Sequence, residues 1–329
     1  MTSPRSFWAG RRVLVTGATG LVGSHLVAAL LRSGADVVIL LRDHDARSEL
    51  FRSGDIARVA VITGRLEALG DVERAVAEGE PSTVFHLGAQ TIVGVGVHAP
   101  VLTLESNVRG TYNLLEACRR HAPPVERVVL ASSDKAYGRS DRPYSEDDPL
   151  RAGSPYDVSK AAGDLIAQSY HATYGLPLAI LRCGNTYGGG DLNWSRIVPG
   201  TIRSFHLGKA PEIRSDGTFV RDYLYVADAV SAYLAVAEAL DRPDVLGQAF
   251  NVAAGEQVPV IDIVRTIADV MGGSLPEPRI LNVARDEIRE QRLSTEKARR
   301  LLGWNAAVSL RNGLRETVAW YRAHLGAAP

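Results

Sequence analysis

Between residues 11 and 133 the chain changes its hydrophobic period repeatedly. β-Branched runs of strand length ("RRVLVTG", "DVVILL", "VAVITG", "STVFHLGA", "ERVVLASS") alternate with stretches patterned as helices ("LVGSHLVAALLRSG", "LGDVERAVAEG", "NVRGTYNLLEACRRH"). Strand, helix and strand in series return to one sheet as right-handed crossovers, so the strands run parallel and helices cover both faces. The expected fold is therefore α/β, a doubly wound parallel sheet of the Rossmann type. After "LPLAILRCGNTYG" the rhythm loosens and Gly and Pro accumulate ("GGGDLNWSRIVPG"), while "QAFNVAAG" reads as one more buried strand. The expected division is a first domain over 8–184, to which 223–255 returns. A smaller C-terminal substrate-binding lobe would be woven from 185–222 and 256–325.

Composition narrows the function classes. With 329 residues, 46% of them hydrophobic, the chain can bury a sizeable core. Lys plus Arg and Asp plus Glu both number 37, so no overall field favours nucleic acid or an anionic membrane, and neither is expected as a partner. The N-terminal "MTSPRSFWAGRR" lacks the apolar core of a signal peptide, and no apolar run approaches the ~20 residues that span a bilayer. A cytoplasmic location is expected. Cys118 falls in a helical pattern and Cys183 in a strand pattern, which reads as two reduced core residues. The eight His show no H-E-x-x-H or clustered ligand spacing, so no metal is expected.

"VTGATGLVGSHL" places Gly17, Gly20 and Gly23 at the first strand-to-helix turn, with Thr19, Leu21 and Val22 between and beside them. Glycines there let backbone N–H groups and a helix N-terminus approach a pyrophosphate, which predicts a dinucleotide site. The end of the second strand discriminates NAD from NADP, because an acid binds the ribose 2′-hydroxyl and an Arg accommodates a 2′-phosphate. It reads "ILLRDHDARS": Arg42 favours NADP, and Asp43 offers a carboxylate to the hydroxyl of NAD instead.

Two further stretches carry chemistry. "SSDKAYG" follows the apolar run "RVVLA", so Ser133, Asp134 and Lys135 stand at the carboxyl edge of a parallel sheet. "SPYDVSKAAGDLIAQSY" starts as a helix at Ser154 and Pro155, which sets Tyr156 and Lys160 four apart on one face. A free tyrosine ionises near ~10. An adjacent ammonium and an oxidised nicotinamide favour its phenolate, which can then take a proton from a sugar hydroxyl. The plainer readings are a solvated helix pair for Tyr156 and Lys160, and a surface ion pair for Asp134 and Lys135.

With "VFHLGAQ", "NVRGTYNLLEACR", "PYDVSK", "LRCGNTYGGGD", "VRDYLYVADAV" and "LSTEKARRLLGW" added, the chain resembles the extended short-chain dehydrogenase/reductases over nearly its whole length, in their nucleotide-sugar epimerase and dehydratase group. The resemblance implies a catalytic set of Ser133, Tyr156 and Lys160. It implies cofactor contacts at Leu87, Gly88, Ala89, Gln90 and Asn107, and a nucleotide-sugar substrate held by Gln90, Ser133, Asn185, Arg196, Arg221 and Arg289. It also implies a homodimer formed through the helices around 105–120 and 156–174. Arg65 stands where the family often has an acid near adenine.

Within the group, an acid followed by a second ionisable residue after the catalytic Ser or Thr is the habit of 4,6-dehydratases. The CDP-glucose and GDP-mannose 4,6-dehydratase branch is the one the chain resembles most, and CDP-glucose enzymes have Asp-Lys. "SFWAGRRVLVTG", "GNTYGGGDLNWSRIVP" and "EDDPL" point the same way. Against it, the loop "GATGLVG" lacks that branch's His and Lys, the chain is shorter, and "SSDKAYG" ends in Gly as in epimerases. Asp134 and Lys135 would be the acid and base of the dehydration. The alternatives are a 4-epimerase, for which Ser133, Tyr156 and Lys160 suffice, and a non-catalytic NADP-binding sensor, against which the intact Tyr156 and Lys160 argue.

Overall fold

The computed structural model describes residues 6–283 and 288–326, so residues 284–287 of the expected C-terminal lobe lie outside it. Strands β1 (Arg12–Thr16), β2 (Asp36–Leu41), β3 (Ala60–Thr63), β4 (Thr83–His86), β5 (Arg127–Ser133) and β6 (Leu178–Cys183) each follow the expected runs. Strands β7 (Asn185–Tyr187), β8 (Glu212–Ile213), β9 (Val220–Tyr225) and β10 (Ala249–Val252) come next, then β11 (Gln257–Pro259) and β12 (Arg279–Ile280). Seven of them form a parallel sheet in the order β10-β6-β5-β4-β1-β2-β3.

The strand period of two explains the layers. Val13 and Val15 of β1 face one core with Ile39, Phe85, Val129 and Leu181, closed by Leu26 and Leu30 of the Leu21–Arg32 helix and by the Val226–Glu238 helix. Leu14 between them faces the opposite core with Val38, Val84, Val128 and Ile180, covered by the helices Leu69–Gly79, Gly110–Arg120 and Pro155–Tyr174. The chain winds outward from β1 in one direction and from β4 in the other. The crevice between their carboxyl ends is the switch point where doubly wound sheets bind ligands.

A third core lies apart. Tyr187, Tyr223, Ile202, Phe205, Ile263, Leu314 and Val318 join the helices Ile197–His206, Val260–Met271 and Leu310–Leu325 to the small sheet β11-β9-β7. Strand β10 pairs with β6 and so belongs to the large sheet, whereas β9 runs across the expected division at 222/223. A strand that pairs with β11 over its first half and with β7 over its second, and leads from there into a helix of the large core, has no clean boundary in sequence.

Candidate active site

The phosphate loop is built from backbone. Gly17 has φ +72°, and a Cβ there would lie 2.6 Å from the Gly88 nitrogen, while a Cβ on Gly23 would lie 2.1 Å from the Gly17 oxygen. Gly20 caps the Leu21–Arg32 helix without a side chain, leaving the first-turn N–H groups of Leu21, Val22 and Gly23 to a ligand. Uncapped donors beside the switch point fit a dinucleotide pyrophosphate, and half-buried Thr19 lies within the same turn.

The opposite wall is the exit of β4. Thr16 Oγ1 accepts from the Gly88 N–H at 3.1 Å and pairs with His86 Nδ1 at 2.8 Å, while His86 Nε2 meets Thr111 Oγ1 at 3.1 Å. Burial pushes His86 down to about 3, with the Lys160 charge adding to the effect, so the ring is a neutral structural link. Leu87 and Ala89 flank Gly88, and Gln90 ends the segment. The Gln90 N–H donates to Asn107 Oδ1 (2.7 Å), and Asn107 Nδ2 donates to the Gln90 carbonyl (3.0 Å) and to Ser159 Oγ (2.8 Å). Ser159 in turn donates to the Tyr156 carbonyl at 2.7 Å. Asn107, on a π-helical turn of the kind that often marks functional sites, thus braces the β4 loop against the Tyr156 helix.

At the end of β2, Arg42 and Asp43 are exposed and paired with each other. Arg65 is exposed too; its backbone N–H donates to Asp71 at 2.9 Å and its guanidinium lies 3.8 Å from Glu67.

Ser133, Asp134, Lys135, Tyr156 and Lys160 come together over the sheet edge. The Ser154 hydroxyl accepts from the Asp157 N–H and Pro155 holds the first helical position, as the sequence suggests, so the Tyr156 helix starts at a fixed point. Burial lifts the Tyr156 phenol to about 12 against the pull of the Arg196 guanidinium; Asp134 lifts it further and the Ser133 hydroxyl lowers it. Lys160 does share Tyr156's face, but its ammonium donates to the Ala131 carbonyl at 2.9 Å. Burial lowers Lys160 to about 8, with Cys183 and Asp164 opposing. Without ligand, then, Tyr156 is a phenol, and added positive charge is what would make it a base.

Asp134 and Lys135 open a 3₁₀ turn capped by Ser133. Asp134 Oδ1 accepts from Ser133 Oγ at 3.1 Å and from Lys135 Nζ at 3.3 Å, and Lys135 Nζ also reaches Asn185 Oδ1 at 3.1 Å. The two side chains are 4% and 24% exposed, which makes a largely buried ion pair rather than a surface one. Tyr137 holds the far end of the turn: its hydroxyl donates to Asn251 Oδ1 at 2.7 Å and accepts from Arg182 Nη1 at 2.8 Å. Arg182 is itself gripped by buried Asp164 through two bonds of 2.8 and 3.0 Å.

The substrate side is cationic. Arg196 pairs with Asp191 at 3.0 Å. Arg221 Nη1 donates to the Val220 and Arg289 carbonyls, and the Arg221 and Arg289 guanidinium groups converge on Phe219 at 5.7 and 5.9 Å. Several residues of this architecture are absent from the sequence analysis, among them His86, Ser159 and Arg182. Ser159 lies three positions after Tyr156 on the same helix, so its spacing was a usable signal. His86 and Arg182 make their contacts to residues far away in the chain.

Residues 13–253 match the NAD dependent epimerase/dehydratase family. The chain belongs to that family. Its members carry the short-chain dehydrogenase/reductase fold in extended form, and the chain is an enzyme of this kind. It is 32% identical to the dTDP-glucose 4,6-dehydratase of Streptomyces griseus over 321 residues, covering 95% of this chain and 94% of the relative. It is equally identical, at 32% over 315 residues, to the UDP-glucose 4-epimerase of Mycolicibacterium smegmatis, covering 94% and 98%. A dTDP-glucose 4,6-dehydratase from Streptomyces venezuelae, solved with NAD bound, superposes with a TM-score of 0.85 at 28% identity, covering 94% of this chain and 97% of that one. Both reactions are thus represented among its relatives. Among the described residues no helix is long and apolar enough to cross a membrane, and no group of three His, Cys, Asp or Glu could hold a metal ion.

Proposed function

We propose that the chain is a nucleotide-sugar 4,6-dehydratase that converts an NDP-hexose to the NDP-4-keto-6-deoxyhexose. The observation that carries this reading is the buried Asp134–Lys135 pair directly after Ser133. Burying the Asp134 charge costs several kcal/mol, roughly, before its attraction to the half-buried Lys135 offsets it. An epimerase has no chemical use for the pair, because moving a proton at C4 needs only Ser133, Tyr156 and Lys160. A dehydratase needs an acid and a base beyond those three.

When bound, the oxidised dinucleotide accepts the C4 hydrogen as hydride and returns it to C6. Tyr156, as phenolate, takes the C4 hydroxyl proton, with Ser133 hydrogen-bonded at the same oxygen and Lys160 holding positive charge beneath it. The new C4 carbonyl acidifies the C5 proton. Lys135, as free amine, removes that proton while Asp134, as carboxylic acid, protonates the C6 hydroxyl, which leaves as water. Elimination therefore starts from a neutral pair and ends in the ion pair. The two forms differ by one proton crossing the 3.3 Å between Lys135 Nζ and Asp134 Oδ1. Lys135 then gives its proton back to C5. The proton kept by Tyr156 balances the one that Asp134 gave to water, so the net change is loss of one water.

The dinucleotide contacts fall to Gly17, Thr19, Gly20, Leu21, Val22, Gly23, Leu87, Gly88, Ala89, Gln90, Asn107, Tyr156 and Lys160. The expectation of NADP rests on Arg42, whose guanidinium is turned onto Asp43, and the Streptomyces venezuelae neighbour contains NAD. NAD is accordingly the better-supported cofactor. Asn185, Arg196, Arg221 and Arg289 face the nucleotide sugar, which fits an anionic diphosphate. CDP-glucose rests on the resemblance of the Asp-Lys pair and of "SFWAGRRVLVTG", "GNTYGGGDLNWSRIVP" and "EDDPL". A homodimer would cover the exposed apolar residues Val97, Val101, Leu102, Leu104, Tyr112, Val158 and Leu165, which lie on neighbouring helices.

The deciding experiment incubates the protein with the dTDP, UDP, CDP and GDP forms of glucose and mannose and follows product mass and cofactor absorbance. Loss of one water without net cofactor consumption supports the reading. Unchanged mass with inverted C4 would replace it with a 4-epimerase, and cofactor binding without any turnover would replace it with the sensor.

A further inference from the structure

We infer that Asn185 is a positioning residue for Lys135, and that its amide makes the place of that amine depend on the bound sugar nucleotide. The inference rests on the dehydratase reading, in which Lys135 is the C5 base. Lys135 Nζ has two acceptors, Asp134 Oδ1 at 3.3 Å and Asn185 Oδ1 at 3.1 Å. Asp134 is its neighbour on the same turn and moves with it. Asn185 comes from β7, which pairs with β9 in the small sheet, so it alone of the two ties the amine to the opposite wall of the cleft.

The chemistry of the two acceptors differs as well. If the Asp134–Lys135 proton is to move, that contact changes from an ion pair to a neutral hydrogen bond. The Asn185 carbonyl oxygen accepts from an ammonium and, more weakly, from a neutral amine, so it can hold Nζ through the transfer. Its other half then has a fixed direction. With Oδ1 committed to Lys135, the Nδ2 group faces away, and it is buried with no partner among the described residues. A buried amide N–H without an acceptor is unfavourable until one arrives. An oxygen of the sugar nucleotide would be that acceptor, and binding it would lock the rotamer that presents Oδ1 to Lys135.

The test uses the intact protein with dTDP-glucose and CDP-glucose, each varied up to saturation in deuterated water, and reads KM and, at saturation, the rate at which solvent deuterium enters C5. Asn185→Ala should slow deuterium entry by about 10- to 100-fold, the effect of losing a hydrogen bond to a charged group. Asn185→Gln keeps a neutral carbonyl oxygen that can reach Lys135 but shifts the N–H donor off the ligand. It should restore deuterium entry toward the parent rate while raising KM by about 10-fold or more. Parent-like exchange in Asn185→Ala, or equal loss in both variants when each retains parent-like circular dichroism and cofactor binding, overturns the inference. Lys135→Met separates the two layers. If it abolishes exchange while Asn185→Ala does not, the dehydratase reading survives and the positioning role fails. If exchange persists without Lys135, the reading fails and takes this inference with it.

Discussion

Asp134→Asn isolates the proton from the geometry. The amide is the same size as the carboxylate, and its oxygen can still accept from Ser133 Oγ and Lys135 Nζ, which stand 3.1 and 3.3 Å away. Lys135 is 24% exposed, so water can replace part of what the lost charge supplied, and the fold should weaken by only about 1 kcal/mol. What disappears is the group that protonates the C6 hydroxyl. A positioned acid contributes about 10²- to 10⁴-fold, or roughly 2.7–5.4 kcal/mol of barrier. The amide also cannot take the Lys135 proton, so the base is not formed by that route. C4 oxidation uses neither group. Under single turnover the variant should therefore build up reduced nicotinamide, visible by its absorbance, while water loss measured by mass falls by two to four orders of magnitude, roughly. Water loss at the parent rate would show that the buried pair has no part in elimination, and turnover with unchanged mass would return the site to the epimerase reading.

Four further outcomes follow from the site and its surroundings. Tyr156→Phe should abolish both reduced-nicotinamide formation and product, because no other group near the sugar is placed to take the C4 proton; single-turnover absorbance checks it. Gly23→Ala puts a Cβ 2.1 Å from the Gly17 oxygen, and relieving that overlap at about 1–3 kcal/mol should weaken NAD binding about 10- to 100-fold by titration calorimetry. His86 is depressed from the ordinary 6.5 to about 3, so below 6.5 the unfolded chain binds the extra proton and the native one does not. Stability should fall as pH drops through that window, by up to about 1.4 kcal/mol per unit. Denaturant unfolding of the parent and of His86→Asn should show their gap narrowing there, and a constant gap would refute the assignment. Light scattering should find a dimer at micromolar concentration, and Val101→Asp with Leu165→Asp should shift it toward monomer.

The elements that could be read from sequence are those whose cause is local. The strands of the large sheet stand out because helices cover both their faces, and the glycine loop because close backbone approaches at Gly17 and Gly23 leave no room for side chains. Ser133, Asp134 and Lys135 are legible as a unit because one strand end carries all three, and Tyr156 and Lys160 because a helix places residues four apart on one face. The partners of these residues are not local. Lys160 bonds a carbonyl 29 residues away, Asn107 reaches Ser159 across 52, and Tyr137 reaches Asn251 across 114. No spacing rule reports such pairs. Gly138 shows the reverse error, a local feature given the wrong cause. Its likeness to epimerases suggested a mark of reaction type, but it has φ +79°, and a Cβ there would lie 2.1 Å from the Arg151 oxygen. Any chain that turns this way after Tyr137 needs glycine, whichever reaction it performs. Gly138 therefore carries no weight between dehydratase and epimerase, and the choice returns to the two residues that the turn presents, Asp134 and Lys135.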